Sequence, residues 1–172
     1  GNISFWVLLF YFAAPSLPGW AAKNWLPTLF TETLHLDMSL AGPMATVTIS
    51  MSSFFGVLIG GAVSDKWVMK HVKGRIYTSA IGLFLTIPAL ILFGYCCSTE
   101  AIIFGAILFG LGFGIYDTNN MPILCQFVAP RYRATGYGIM NFVGISAGAI
   151  ITEFLGKAAD NGGMRHVFLL LL

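Results

Sequence analysis

One acidic residue stands out by its surroundings. Asp117 falls inside an apolar run from Ala101 to Val128 and is followed by Thr118, Asn119 and Asn120. At helical rise it lies roughly 16 Å from the Val128 end of that run, near the middle of a bilayer. An ionised carboxylate there costs at least ~2.5–3.5 kcal/mol, so it persists only with a cation, a proton or access to water. Carboxylate, amide and carbonyl oxygens together suit a sodium ion, whereas a lone carboxylate suits a proton. A buried hydrogen-bonded knot between helices is the competing reading. Asp117 is the candidate ion-coupling residue, with Tyr116, Asn119 and Asn120 beside it and Asn141 further on as candidate solute contacts.

A second charge sits in an earlier apolar run. Lys23, flanked by Trp20, Asn24 and Trp25, lies about seven residues before Phe30. It would attract an anionic solute into a cavity, with Asn24 as a further contact. Its four-carbon stem would equally let it snorkel to the outer headgroups. Straight helices would separate Lys23 and Asp117 by ~15 Å in depth, too far for an ion pair. His35, His71 and His166 are scattered among loops, and Cys96, Cys97 and Cys125 have no histidine at a metal-binding spacing. Neither an enzyme site nor a metal centre is expected.

A third group lies where a span leaves the membrane. Gly61, Asp65 and Lys66 precede a basic stretch ending in Gly74-Arg75, and Arg131 and Arg133 occupy a second basic loop. Asp65 can face an arginine or a helix N-terminus, a contact worth roughly 0.3–2 kcal/mol that a conformational change could break. These residues, with Arg133, make a candidate conformational latch. Ordinary positive-inside charges would explain the lysines but not the acid among them.

The elements that position these groups are membrane spans. The chain has 172 residues, 57% hydrophobic and only 9% charged, with a mean hydropathy of +0.82. Soluble domains are about 25% charged, so a soluble enzyme or a nucleic-acid-binding domain is excluded. Apolar runs cover about 3–30, 40–64, 76–95, 101–128 and 136–155, with a truncated sixth at 167–172. Each complete run reaches the roughly 20 residues that cross a bilayer as a helix. Continuous runs without alternation exclude a β-barrel. An all-α membrane protein of five complete spans and part of a sixth is expected.

Six basic residues lie in the loops at 66–75 and 129–134, against two, Lys157 and Arg165, in the alternate loops. Short basic loops stay cytoplasmic, which places Gly1 on the cytoplasmic side. A first residue other than methionine and an end within an apolar run predict a piece of a longer protein. Gly56/Gly60, Gly110/Gly114 and Gly144/Gly148 predict close helix approach. Pro15, Pro18 and Pro27 in the first span and Pro122 in the fourth predict distortion, each freeing the carbonyl four residues earlier. In hydrocarbon that carbonyl needs a partner or water.

The stretch Gly61-x-x-x-Asp65-Lys66 with Gly74-Arg75 resembles the loop signature of the major facilitator superfamily. Residues 130–138, running into Asn141-Phe142 and Gly144, are similar to the start of the eleventh helix of that family. Trp25-Leu26-Pro27-Thr28, followed by Leu40-Ala41-Gly42, resembles the seventh helix and its exit in the anion:cation symporter branch. The resemblance implies that residues 1–172 form the carboxy-terminal six-helix half of a transporter, with the amino-terminal half as its missing partner. It also implies a central cavity walled by the helices that carry Lys23 and Asp117.

The expected function is symport of a small organic anion, such as a sugar acid, with H⁺ or Na⁺ by alternating access. No other cofactor is expected, and the setting implied is a bacterial inner membrane. A drug or metabolite exporter with Phe12, Trp20 and Phe113 in a greasier cavity is the alternative, and a non-transporting membrane sensor a third.

Overall fold

A computed structural model of the chain describes residues 3–96 and 98–160, together with Phe168. The helices are α1 (Ile3–Leu34), α2 (Met38–Val68), α3 (Gly74–Tyr95), α4 (Thr99–Asp117), α5 (Asn120–Phe127) and α6 (Arg133–Asp160), with a 3-10 turn at Pro130–Tyr132 before α6. Counting α4 and α5 as one crossing, five segments are long and apolar enough to span a membrane. Helices satisfy their backbone groups internally, which is why apolar runs of this length adopt them in lipid. The sixth apolar run lies outside the described residues except for Phe168, which is buried and meets the Phe93 ring edge-on at 5.4 Å.

Helices α2 and α3 outrun the apolar stretches seen in sequence because their hydrogen bonding continues past the hydrocarbon into polar ends such as Asp65–Val68. The fourth span departs more. Its helix stops at Asp117 and restarts at Asn120, a full break at Thr118, whose carbonyl Pro122 frees. The Asn119 amide turns back to the Tyr116 carbonyl at 3.2 Å, tightening the last turn of α4. Pro122 then occupies the first turn of α5, where its missing N–H does least harm. A polar run too costly for continuous helix in lipid is thus divided between two helix ends.

Close packing centres on α4. A Cβ on Gly114 would strike the Ser53 carbonyl of α2, and one on Gly56 the Leu111 carbonyl of α4. On the other side of α4, a Cβ on Gly112 would lie 2.6 Å from the Gly82 carbonyl oxygen of α3. Backbones this near gain dispersion contacts that lipid does not supply. The glycine pair of α6 serves differently. Gly144 and Gly148 receive the side chains of Phe12 and Trp20 from α1, with Phe12 Cε1 2.8 Å from where a Gly144 Cβ would stand. The expected close backbone approach is here a seat for aromatic rings.

Large apolar side chains remain exposed along the outer faces, among them Phe54, Phe55, Leu58 and Phe84. Exposed apolar surface on this scale fits a lipid environment rather than water. The chain is an integral, multi-pass α-helical membrane protein.

Candidate functional site

A cavity of about 220 Å³ opens between α1, α4 and α6. From α1 it is lined by Phe12, Ser16, Gly19, Trp20 and Lys23, from α4 by Phe113 and Asp117, and from α6 by Asn141, Gly144 and Ile145. Glycine at position 19 lets α4 bring Phe113 across: a Cβ there would lie 2.6 Å from the ring. Phe109 stacks parallel to Phe113 with ring centres 5.8 Å apart, helping to hold the ring in place.

Lys23 and Asp117, read from sequence as the two charges within spans, share this cavity. The Lys23 ammonium sits 5.3 Å from the Phe113 ring centre. That cation–π contact directs it across to α4, one turn from Asp117, rather than up toward the outer headgroups. The depth gap is also smaller than expected, because α1 continues to Leu34 and sets Lys23 further from its helix end. Among the described residues the two charges form no ion pair with each other.

Asp117 is exposed to the cavity and ends α4. Asn120 Nδ2 donates to its Oδ1 at 3.0 Å. A carboxylate at a helix break, with accessible oxygen and one fixed donor, can bind a proton or coordinate a small cation. Asn141 lines the cavity and donates to the Tyr137 carbonyl of its own helix at 3.0 Å, leaving its amide oxygen to accept.

Four sequence-level candidates for solute contact lie elsewhere. Tyr116, Asn119 and Asn120 are buried behind the cavity wall. The Tyr116 hydroxyl donates to the Tyr11 carbonyl at 3.2 Å, and Asn119 Nδ2 to the Ile115 carbonyl at 3.1 Å. The local polarity of residues 116–120 therefore serves helix joining at three positions and faces the cavity at Asp117. Asn24 Nδ2 donates to Thr152 Oγ1 at 3.0 Å, tying α1 to α6. Sequence reasoning had not assigned Ser16 to the cavity. Its spacing of seven residues from Lys23, two helical turns, was the available signal.

At the end of α2, Arg75 Nη2 donates to Asp65 Oδ1 at 2.7 Å. Arg75 stands in the first turn of α3, so of the two partners its sequence context allowed, a helix N-terminus or an arginine, Asp65 pairs with the arginine. Glycine at 74 makes the short connection possible, since a Cβ would lie 2.7 Å from the Trp67 carbonyl carbon. Gly61 faces the α4–α5 break more loosely, with Thr118 Oγ1 3.9 Å from a Cβ position. Lys66 is exposed on the same helix end. Arg133 lies apart from the Asp65 pair. Its Nη2 and Nε donate to the carbonyls of Cys125 and Val128 at 3.0 and 3.2 Å, closing the C-terminus of α5. A guanidinium there satisfies orphan carbonyls and complements the helix dipole.

Residues 1–152 match the family described as the Major Facilitator Superfamily, and the chain belongs to it. That family is one of transporters rather than enzymes. The chain is 26% identical over 142 residues to the protein named "Probable anion transporter 5" of Arabidopsis thaliana, covering 80% of this chain and 32% of that one. It is 26% identical over 160 residues to "Probable anion transporter 4, chloroplastic" of Oryza sativa subsp. japonica, covering 84% and 25%. It is 23% identical over 151 residues to vesicular glutamate transporter 2 of Homo sapiens, covering 84% and 26%. The chain thus spans about a quarter to a third of the length of these relatives.

Proposed function

We propose that this chain is the carboxy-terminal six-helix half of a secondary transporter that carries a small organic anion together with a cation. Gly1 then lies on the cytoplasmic side, with the Asp65–Arg75 pair at the same face. The observation that carries the reading is the placement of Lys23 and Asp117 on one accessible cavity. A lysine draws an anion in, and a carboxylate takes up H⁺ or Na⁺, so the two cargoes bind next to one another. The names of the relatives, anion and glutamate transporters, support an anionic cargo. Asn141 contacts the solute, while Asn120 positions the Asp117 carboxylate. The amino-terminal half supplies the opposite wall, and rocking of the two halves alternates access. Asp65 and Arg75 hold one of the two states.

The test uses the full-length protein in liposomes. Asp117→Asn keeps the size of the side chain and removes its charge. Accumulation driven by a cation gradient should be lost while solute exchange continues. Gradient-driven accumulation at the wild-type level would remove Asp117 from coupling.

A second reading keeps the fold and reverses the direction. Phe12, Trp20 and Phe113 line the same cavity and give it an apolar wall, which suits a bulkier, greasier cargo and an exporter. Flux measured under an imposed proton gradient separates the two. Movement of solute with the protons supports symport, and movement against them supports the exporter.

A further inference from the structure

Lys23 borders two cavities. Besides the one it shares with Asp117, it lines a recess of about 300 Å³ in the groove between α1 and α2. The other lining residues are Leu26 of α1 and Ala45, Thr46, Ile49 and Ser50 of α2. The recess has a different chemistry from the Asp117 side. Its lining includes a cation and two hydroxyls but no acid.

Those hydroxyls have no partner within their helix, as is also true of Ser39 and Ser53 among the described residues. Elsewhere on α2, Thr48 donates to the Met44 carbonyl at 2.7 Å and Ser52 to the Thr48 carbonyl at 2.6 Å. Such backward bonds are the ordinary outlet for serine and threonine within a helix. Thr46 and Ser50 are exposed, and among the described residues neither makes a hydrogen bond. One turn apart on α2, they occupy the same helical face. Measured at helical rise from the outer helix ends, Thr46 lies about 12 Å and Ser50 about 18 Å deep, bracketing Lys23 at about 17 Å. That depth is beyond the reach of lipid headgroups, so the ligand is a solute rather than a phospholipid.

We propose that the α1–α2 recess seats the carboxylate, or a similar oxyanion, of the transported solute. Lys23 supplies the charge, and the hydroxyls of Thr46 and Ser50 donate to the oxyanion's oxygens. This rests on the organic-anion reading above and divides the site: the anionic group binds on the α2 side of Lys23, and the coupling cation on the Asp117 side. Thr46 and Ser50 become specificity-determining residues, because an apolar side chain there offers an oxyanion no donor.

The experiment measures uptake of radiolabelled gluconate and glutamate by the full-length protein in liposomes. The double variant Thr46→Val/Ser50→Ala should raise KM for the carried probe by about tenfold or more, the scale of losing hydrogen bonds to a charged group. Turnover at saturating probe should hold, and Thr46→Ser should keep the wild-type KM. The single variants Thr46→Ala and Ser50→Ala give the same readout should the double variant fold poorly. A wild-type KM in the double and single variants, with uptake lost in Lys23→Gln, would overturn the recess and leave organic-anion transport standing. Failure of the wild-type protein to carry either probe or to bind them in a thermal-shift assay would overturn the organic-anion reading, and the recess with it.

Discussion

The hydroxyl of Tyr116 on α4 donates to the backbone carbonyl of Tyr11 on α1, 3.2 Å away. Tyr11 lies four residues before Pro15, so its carbonyl has lost the amide that would otherwise fill it. A proline in one span has thus been answered by a phenol from another, and α1 runs unbroken from Ile3 to Leu34 despite three internal prolines. The same bond fixes the α1–α4 distance across which Lys23 meets Phe113.

Tyr116→Phe should therefore destabilise the protein without touching the solute. A single hydrogen bond between membrane helices averages about 0.6 kcal/mol and reaches about 1.7. The upper part of that range is expected, because the carbonyl left behind has no helical partner. Thermal unfolding in detergent should show a lower midpoint, with KM for the carried solute unchanged. A raised KM at wild-type stability would return Tyr116 to the solute site.

Asn24 invites the same separation of roles. Its amide reaches Thr152 on α6 rather than the cavity. Asn24→Val should cost about 0.6 kcal/mol in unfolding free energy and leave solute affinity as it was. Equilibrium unfolding and uptake kinetics on the same preparation distinguish the two outcomes.

Glycine substitutions should separate sharply by position. Gly114→Ala drives a methyl into the Ser53 carbonyl of α2, which is backbone and cannot swing aside. Overpacking of this kind costs about 1–3 kcal/mol or more, and folded yield from the membrane should fall. Gly42→Ala on α2 meets nothing within 4 Å. There alanine should be neutral or stabilise by roughly 0.5–1 kcal/mol through its better helix propensity. Size-exclusion profiles and unfolding midpoints of the two variants would check the contrast.

Spans and glycine seams were legible in sequence because both depend on local composition. Twenty apolar residues can only be a helix in lipid, and Gly56, Gly110 and Gly114 mark where backbones touch. The cavity charges were legible too, since Lys23 and Asp117 are costly wherever they lie. Which polar neighbours face that cavity was not. Residues 116–120 read as one polar patch, yet Tyr116 faces inward from α4 and the helix end at 117 turns Asn119 and Asn120 inward as well. A helix break changes the direction of every following side chain, and sequence spacing carries no sign of its angle. The role of Arg133 was hidden for the same reason: its partners are the Cys125 and Val128 carbonyls exposed only once α5 ends. Thr46 and Ser50 carry no mark in the sequence; only the recess beside Lys23 brings them together with a cation.

The Asp65–Arg75 pair should affect turnover more than stability. Asp65 is 68% exposed and Arg75 21%, and an exposed pair contributes about 0–1 kcal/mol. Breaking it is therefore cheap, as the proposed latch role requires. Asp65→Ala or Arg75→Ala should leave the unfolding midpoint nearly unchanged while uptake slows, as expected if the pair is the proposed tie of one access state. Exchanging the charges, Asp65→Arg with Arg75→Asp, restores attraction but sets an aspartate in the first turn of α3 and an arginine in the last turn of α2, both favourable to the helix dipoles. The exchanged protein should regain much of the lost uptake. Rates from initial uptake in liposomes, compared across the two single variants and the exchange, provide the check: exchanged protein no faster than the single variants would mean that Asp65 acts through a partner other than Arg75.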